Sequence, residues 1–161
     1  MPDNSKAKSK RPARSATPIN MGMLPELFGY HLRCAQVTVF QHYNTTMGKL
    51  GISAPQFGTL LLIEGNPGVS QSSVAEALRF DRSTLVQIID RLEGRDLVVR
   101  EVSAKDRRSH ALRLTGEGAK LLAELKEIAL RHEEDIAHRL SAEERVTLMR
   151  LLERVHRSDP G

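Results

Sequence analysis

Residues 70–94 read SQSSVAEALRFDRSTLVQIIDRLEG, and the punctuation of this stretch decides the fold. Ser70 is a capping residue type placed ahead of a short amphipathic run to about Arg79, with Val74, Ala77 and Leu78 as its apolar side. The period breaks at Phe80-Asp81, and a second short helix is predicted over about 82–94. Two short helices joined by so brief a turn predict a helix-turn-helix. At a helical period Leu85, Ile88, Ile89 and Leu92 share one side of the second helix. Ser83, Gln87, Asp90, Arg91 and Gly94 share the other, with Arg82 and Thr84 flanking it near the helix start.

Downstream the period changes. Leu97 to Val102 is rich in β-formers, Ser103-Ala104-Lys105-Asp106 is a turn, and Ala111 to Leu114 alternates, so a β-hairpin is predicted over 97–114. Thr115 with Gly116-Glu117-Gly118 starts a long helix, about 116–138, and Ser141-Ala142-Glu143-Glu144 is a capping box for a last helix, 142–157. Upstream, Leu24, Leu27, Phe28, Leu32, Ala35, Val39, Tyr43 and Met47 recur at helical spacing and predict one long helix over 23–48, ended by Gly48 and Gly51. Ser53 caps the next helix, with Pro55 in its first turn and Phe57, Leu60, Leu61 and Ile63 as its face; Gly65-Asn66-Pro67-Gly68 is a turn. The expected fold is mainly α with a small β-hairpin wing. A winged helix-turn-helix over 51–115 is flanked by dimerisation helices at 21–50 and 116–161 and preceded by a disordered basic tail, 1–20. The apolar stripes of the end helices exceed what the central domain can cover, which points to a homodimer.

Composition agrees. The 161 residues are 40% hydrophobic but only 4% aromatic, with no Trp, as in a helical core of aliphatic side chains. The net charge of +4 sits entirely in residues 1–20, where Lys6, Lys8, Lys10, Arg11 and Arg14 oppose Asp3. A single cysteine, Cys34, excludes an internal disulfide framework. The sequence shows no apolar membrane span and no secretory leader, so a cytoplasmic protein is expected. No phosphate loop, nucleophile elbow or metal-ligand spacing among the six histidines supports an enzyme, a cofactor or a metal.

The polar face of 82–94 carries the chemistry of a major-groove reader. Arg donates two bonds to guanine, Gln pairs with adenine, and Ser or Thr bonds a base edge or a phosphate. Arg82, Ser83, Thr84, Gln87 and Arg91, with Ser70 and Gln71 on the preceding helix, are therefore expected to contact double-stranded DNA. The hairpin holds Arg100, Lys105, Arg107, Arg108 and Arg113 against Glu101 and Asp106, a positive ribbon suited to a minor groove. Asp106 is expected to pair with a nearby Arg and hold the wing's shape.

At these residues the chain resembles the MarR family of bacterial regulators. Asp106-Arg107-Arg108, then Leu112-Arg113-Leu114-Thr115-Gly116-Glu117-Gly118, is similar to the family's Asp-x-Arg and Leu-Thr-x-x-Gly wing signature. Ile89-Asp90-Arg91-Leu92-Glu93 and Leu97-Val98-Val99-Arg100 resemble its recognition-helix exit, and the likeness runs over about 23–157. The resemblance implies a two-fold dimer on a pseudo-palindromic operator, usually a repressor released by a small ligand. Arg108 matches the wing arginine of the minor groove and Asp106 its buttress. One departure is Asp96, where the family has Gly; Asp tolerates the left-handed conformation, so only a locally altered helix end is expected. In similar proteins a pocket beside the dimerisation helices takes aromatic carboxylates, phenols or their acyl-CoA thioesters. Arg33, Phe40, Tyr43 and His31 are the effector-binding candidates here. Two other readings stay open: a thiol redox sensor through Cys34, against a buried and inert thiol, and a winged-helix protein-interaction module without DNA.

Overall fold

The computed structural model describes residues 19–102 and 110–157, the side chains of Val102 and His110 excepted. The chain divides into two compact units, Met1–Cys34 and Ala35–Gly161.

In the first unit Leu24–Glu26 forms a single 3-10 turn with Pro25 near its start, and Leu27 is extended (φ −88°, ψ 124°) before helix α1, Phe28–Thr45, begins. The predicted 23–48 helix is thus three pieces. The extended Leu27 interrupts its beginning. At its other end the Thr46 hydroxyl and N–H both donate to the His42 and Tyr43 carbonyls. A 3-10 turn, Met47–Leu50, follows and is closed by Gly51 in the left-handed region. Only Tyr43 and Met47 of the predicted stripe are buried; Leu24, Leu27, Phe28, Leu32 and Ala35 are exposed.

The second unit holds the core. Helix α2 is Ala54–Gly65, capped by Ser53 in a reciprocal box with Gln56, and it buries Leu60 and Ile63. Strand β1 is Val69–Ser70, helix α3 Gln71–Leu78 and helix α4 Arg82–Glu93. Strands β2, Val98–Val102, and β3, His110–Leu114, form the predicted hairpin; helix α5 is Gly116–Ile136 and helix α6 Ala142–His156. The sheet has a third strand that the sequence does not announce. β1 pairs antiparallel with β3, Val69 opposite Leu112, in the order β1-β3-β2. Two residues are too short to show a period, yet they tie the ribbon to the start of α3.

Leu60, Ile63, Val74, Leu85, Ile89, Leu92, Val98, Leu112, Leu122 and Leu125 make one aliphatic core beneath α4. On α3 the buried alanine is Ala75, and Ala77 is exposed. α6 has its predicted capping box at Ser141 and Glu144, but none of its residues is buried.

Candidate nucleic-acid interface

Each end of the helix-turn-helix is built by an identifiable device. Ser70 closes β1 and caps α3, its oxygen accepting from the Ser73 N–H at 3.1 Å. α3 ends with Arg79 in the left-handed region (φ 55°), where the Phe80 N–H bonds the Ala75 carbonyl (2.9 Å) and the Arg79 N–H bonds that of Glu76 (3.1 Å). Asp81 then caps α4. Its carboxylate accepts from the Ser83 hydroxyl (2.6 Å), the Thr84 hydroxyl (2.6 Å) and the Thr84 N–H (2.8 Å), and these bonds hold the Asp81 carboxyl well below the usual carboxylate range.

The apolar side of α4 is buried as predicted, with Leu85, Ile88, Ile89 and Leu92 all inside. Arg82, Ser83, Gln87 and Arg91 are exposed, and Thr84 is half-buried. Ser83 and Thr84 spend their protons on Asp81, so toward a ligand their oxygens act as acceptors. Gln71, in the first turn of α3, is half-buried. The sequence reading missed Val86, which is exposed beside these groups and is the kind of apolar surface that packs on a thymine methyl.

Asp90 was expected on the polar face and stands there, but engaged. The Arg100 guanidinium reaches from β2 to bond both Asp90 and Glu93. Arg113 is paired with Glu101 at 2.8 Å. Two of the five hairpin cations are therefore balanced within the protein. Lys105, Asp106, Arg107 and Arg108 lie outside the described residues.

The helix exit explains the signature residues. Asp96 adopts the left-handed conformation (φ 55°), as expected of the residue standing where the family has Gly. The Leu97 N–H bonds the Leu92 carbonyl (3.0 Å) and the Asp96 N–H that of Glu93 (2.9 Å), the paired bonds of a Schellman end. Thr115 donates to the Asp96 carbonyl at 2.5 Å and accepts from the Gly118 N–H at 2.9 Å. A Cβ on Gly118 would sit 2.0 Å from the Leu97 oxygen, so no other residue fits there without displacing backbone. Arg95, also missed, donates to the Leu50 and Gly51 carbonyls at 3.2 and 2.6 Å.

The effector candidates are placed less favourably. In the first unit Arg33 is exposed, and His31 is exposed with its Nε2–H donated to the Pro25 carbonyl at 2.7 Å. In the second Phe40 is exposed, while Tyr43 is in the core, its hydroxyl donating to the Ile52 carbonyl at 3.2 Å and its phenol pushed by burial up to about 12. Cys34 was expected to be buried and is exposed, because the apolar stripe it borders in α1 is itself uncovered there. His42 and His132 meet through their Nδ1 atoms at 2.7 Å, His132 buried and His42 Nε2 standing 3.6 Å from Asp135. No group of three or more His, Cys, Asp or Glu that could hold a metal occurs among the described residues, and no described helix is long and apolar enough to cross a membrane.

Residues 50–109 match the profile of the MarR family. The protein named as the transcriptional regulatory protein for the hcr operon of Thauera aromatica is 38% identical over 92% of this chain and 91% of its own length. The chain belongs to the MarR family. It is a transcriptional regulator with the DNA-binding winged helix of that family. The repressor CouR bound to a 23-mer DNA duplex shares 39% identity at a TM-score of 0.83, over 88% of this chain and 100% of that one. CouR bound to p-coumaroyl-CoA shares 37% identity at a TM-score of 0.80, over 88% and 99%. The MarR signature is thus a joint: Leu114-Thr115-x-x-Gly118 locks the start of α5 onto the end of α4.

Proposed function

We propose that two copies of this chain form a repressor that grips a pseudo-palindromic operator through α4 and the β2–β3 ribbon, and that an aromatic acid, a phenol or an aromatic acyl-CoA releases it. The observation that carries this reading is the outward side of α4, where Arg82, Ser83, Gln87 and Arg91 stand exposed on a helix whose other side is locked into the core. The ligand rests on likeness to the CouR that binds p-coumaroyl-CoA. The dimer rests on apolar side chains left uncovered, among them Phe28 at 61% exposure, Val146 and Met149 at 62% and Val155 at 56%. Arg33 is the cation proposed for the acid or thioester. Arg108 and its buttress Asp106 are proposed for the minor groove on the resemblance of their motif.

The test is a mobility-shift series on the chain's own promoter over increasing salt, followed by a panel of aromatic acids and their CoA thioesters. Log K is expected to fall with log salt by about 0.9 per phosphate contacted. Gln87→Ala should cost roughly 1–3 kcal/mol at particular base pairs, whereas Arg108→Ala should weaken all sequences alike. Arg33→Ala should need more ligand for release. Binding that ignores salt and sequence would defeat the operator reading, and an unchanged ligand response in Arg33→Ala would remove that residue from the effector site.

A further inference from the structure

We infer that Arg100 is a positioning residue for DNA binding: it forks two carboxylates of α4 and so sets the angle between that helix and the β2–β3 ribbon. The inference rests on the DNA-binding role of α4 proposed above. A basic side chain on such a ribbon reads at first as a phosphate contact. Its environment says otherwise. The Arg100 side chain is only 17% exposed; its Nη2 lies 2.5 Å from Asp90 Oδ1, its Nη1 bonds Glu93 Oε2, and its backbone N–H reaches Glu93 Oε1 at 3.4 Å. The guanidinium is aimed at the helix, and its planar fork holds two acceptors in a fixed relation that an ammonium cannot reproduce.

Asp90 is the informative member. It lies one turn beyond Gln87, on the polar side of α4, with its side chain 57% exposed. A lone carboxylate there would repel a phosphate backbone, and Coulomb's law alone says that its removal should strengthen binding. The fork gives it the opposite role. α4 and β2 are joined covalently only through the tight turn at Gly94–Leu97, and beyond it the ribbon meets α4 through the apolar packing of Val98 and Leu112, which is non-directional. The Arg100 fork is a second point of attachment, further along both elements. Two points fix a direction, so the helix and the ribbon meet the duplex at a preset angle and less conformational freedom is lost on binding.

The experiment is fluorescence anisotropy on a labelled fragment of the chain's own promoter, with wild type, Asp90→Asn, Arg100→Met, Arg100→Lys and Glu93→Gln, each in a salt series and each checked by thermal melting. Asp90→Asn and Arg100→Met should weaken binding roughly tenfold, about the worth of one misaligned base contact. The plots of log K against log salt should stay parallel to wild type. Arg100→Lys and Glu93→Gln, which each keep half the fork, should fall between. Tighter binding by Asp90→Asn would overturn the inference. So would a slope lowered by about 0.9 in Arg100→Met, which would make Arg100 a phosphate contact in its own right. A strut that served only the fold would lower the melting temperature and leave the affinity of the still-folded protein unchanged, and that result would overturn the positioning role as well. If a full variant is already melting at the assay temperature, the comparison of Glu93→Gln with wild type decides on the same criteria. Failure of wild type itself to bind would overturn the DNA reading and this inference together.

Discussion

Asp96 and Arg79 occupy equivalent positions at the ends of α4 and α3, both left-handed without being glycine, and only one of them was foreseeable. Asp96 stands where the family has Gly and is a residue type that visits this region. Arg79 carries no such mark, and its conformation follows from closing bonds to Ala75 and Glu76 that appear only once α3 stops. Replacing either by Gly should relieve a local cost of about 1 kcal/mol, offset in part by the freer unfolded chain. We expect Arg79→Gly to raise the denaturation midpoint more than Asp96→Gly, read by urea titration. His132 supplies a pH signal of definite sign. Burial first, and the adjacent His42 second, hold its pKa below the ordinary 6.5. The unfolded chain therefore takes up this proton at a higher pH than the folded one, so stability is complete above about pH 6.5 and falls as pH drops through the window beneath it. Melting temperatures from pH 7.5 down to pH 5 should decline, and His132→Asn should flatten that decline. The His42–His132 contact joins residues 90 apart, which is why no local pattern in the sequence reveals it.

At the scale of elements the capping residues were the most legible feature. Ser53, Ser70, Thr115 and Ser141 all cap the helices expected of them, because a cap is a bond between near neighbours in the chain. The polar side of α4 was legible for the same reason. What the sequence concealed was tertiary: the short β1, the Arg95 clamp on Leu50 and Gly51, and the use of Arg100 and Arg113 inside the protein, since a positive hairpin reads alike whether its charges face solvent or a carboxylate. The Gly118 contact makes the joint between α5 and the end of α4 testable. Gly118→Ala would drive a methyl into the Leu97 backbone, and a loss of about 2–3 kcal/mol is expected from the forced displacement. Thr115→Ala should cost about 1 kcal/mol through the lost cap. Chemical denaturation of the two variants checks the order, and a Gly118→Ala protein as stable as wild type would contradict the close approach.

For the whole molecule the open question is what covers the apolar residues at the two ends of the chain. A dimer of this 18.0 kDa chain should sediment as a species of twice that mass. Val146→Glu, on the exposed apolar side of α6, should shift it toward single subunits and, with them, abolish high-affinity operator binding. Sedimentation equilibrium at several concentrations reads the first effect and anisotropy the second; a Val146→Glu protein that stays paired would place the interface elsewhere. The node at Leu97 has one more bearing on such a regulator. Its N–H closes α4, its carbonyl takes the Thr115 N–H, and Gly118 lies against it, so the long helix is welded at one end to the reading head. Over 21 residues that helix is about 30 Å long. A push of about 3 Å at its far tip is then a tilt of only about 6° at the weld, by the same rise per residue. A crank of that kind would turn a modest event far from the duplex into a change of pitch at the groove.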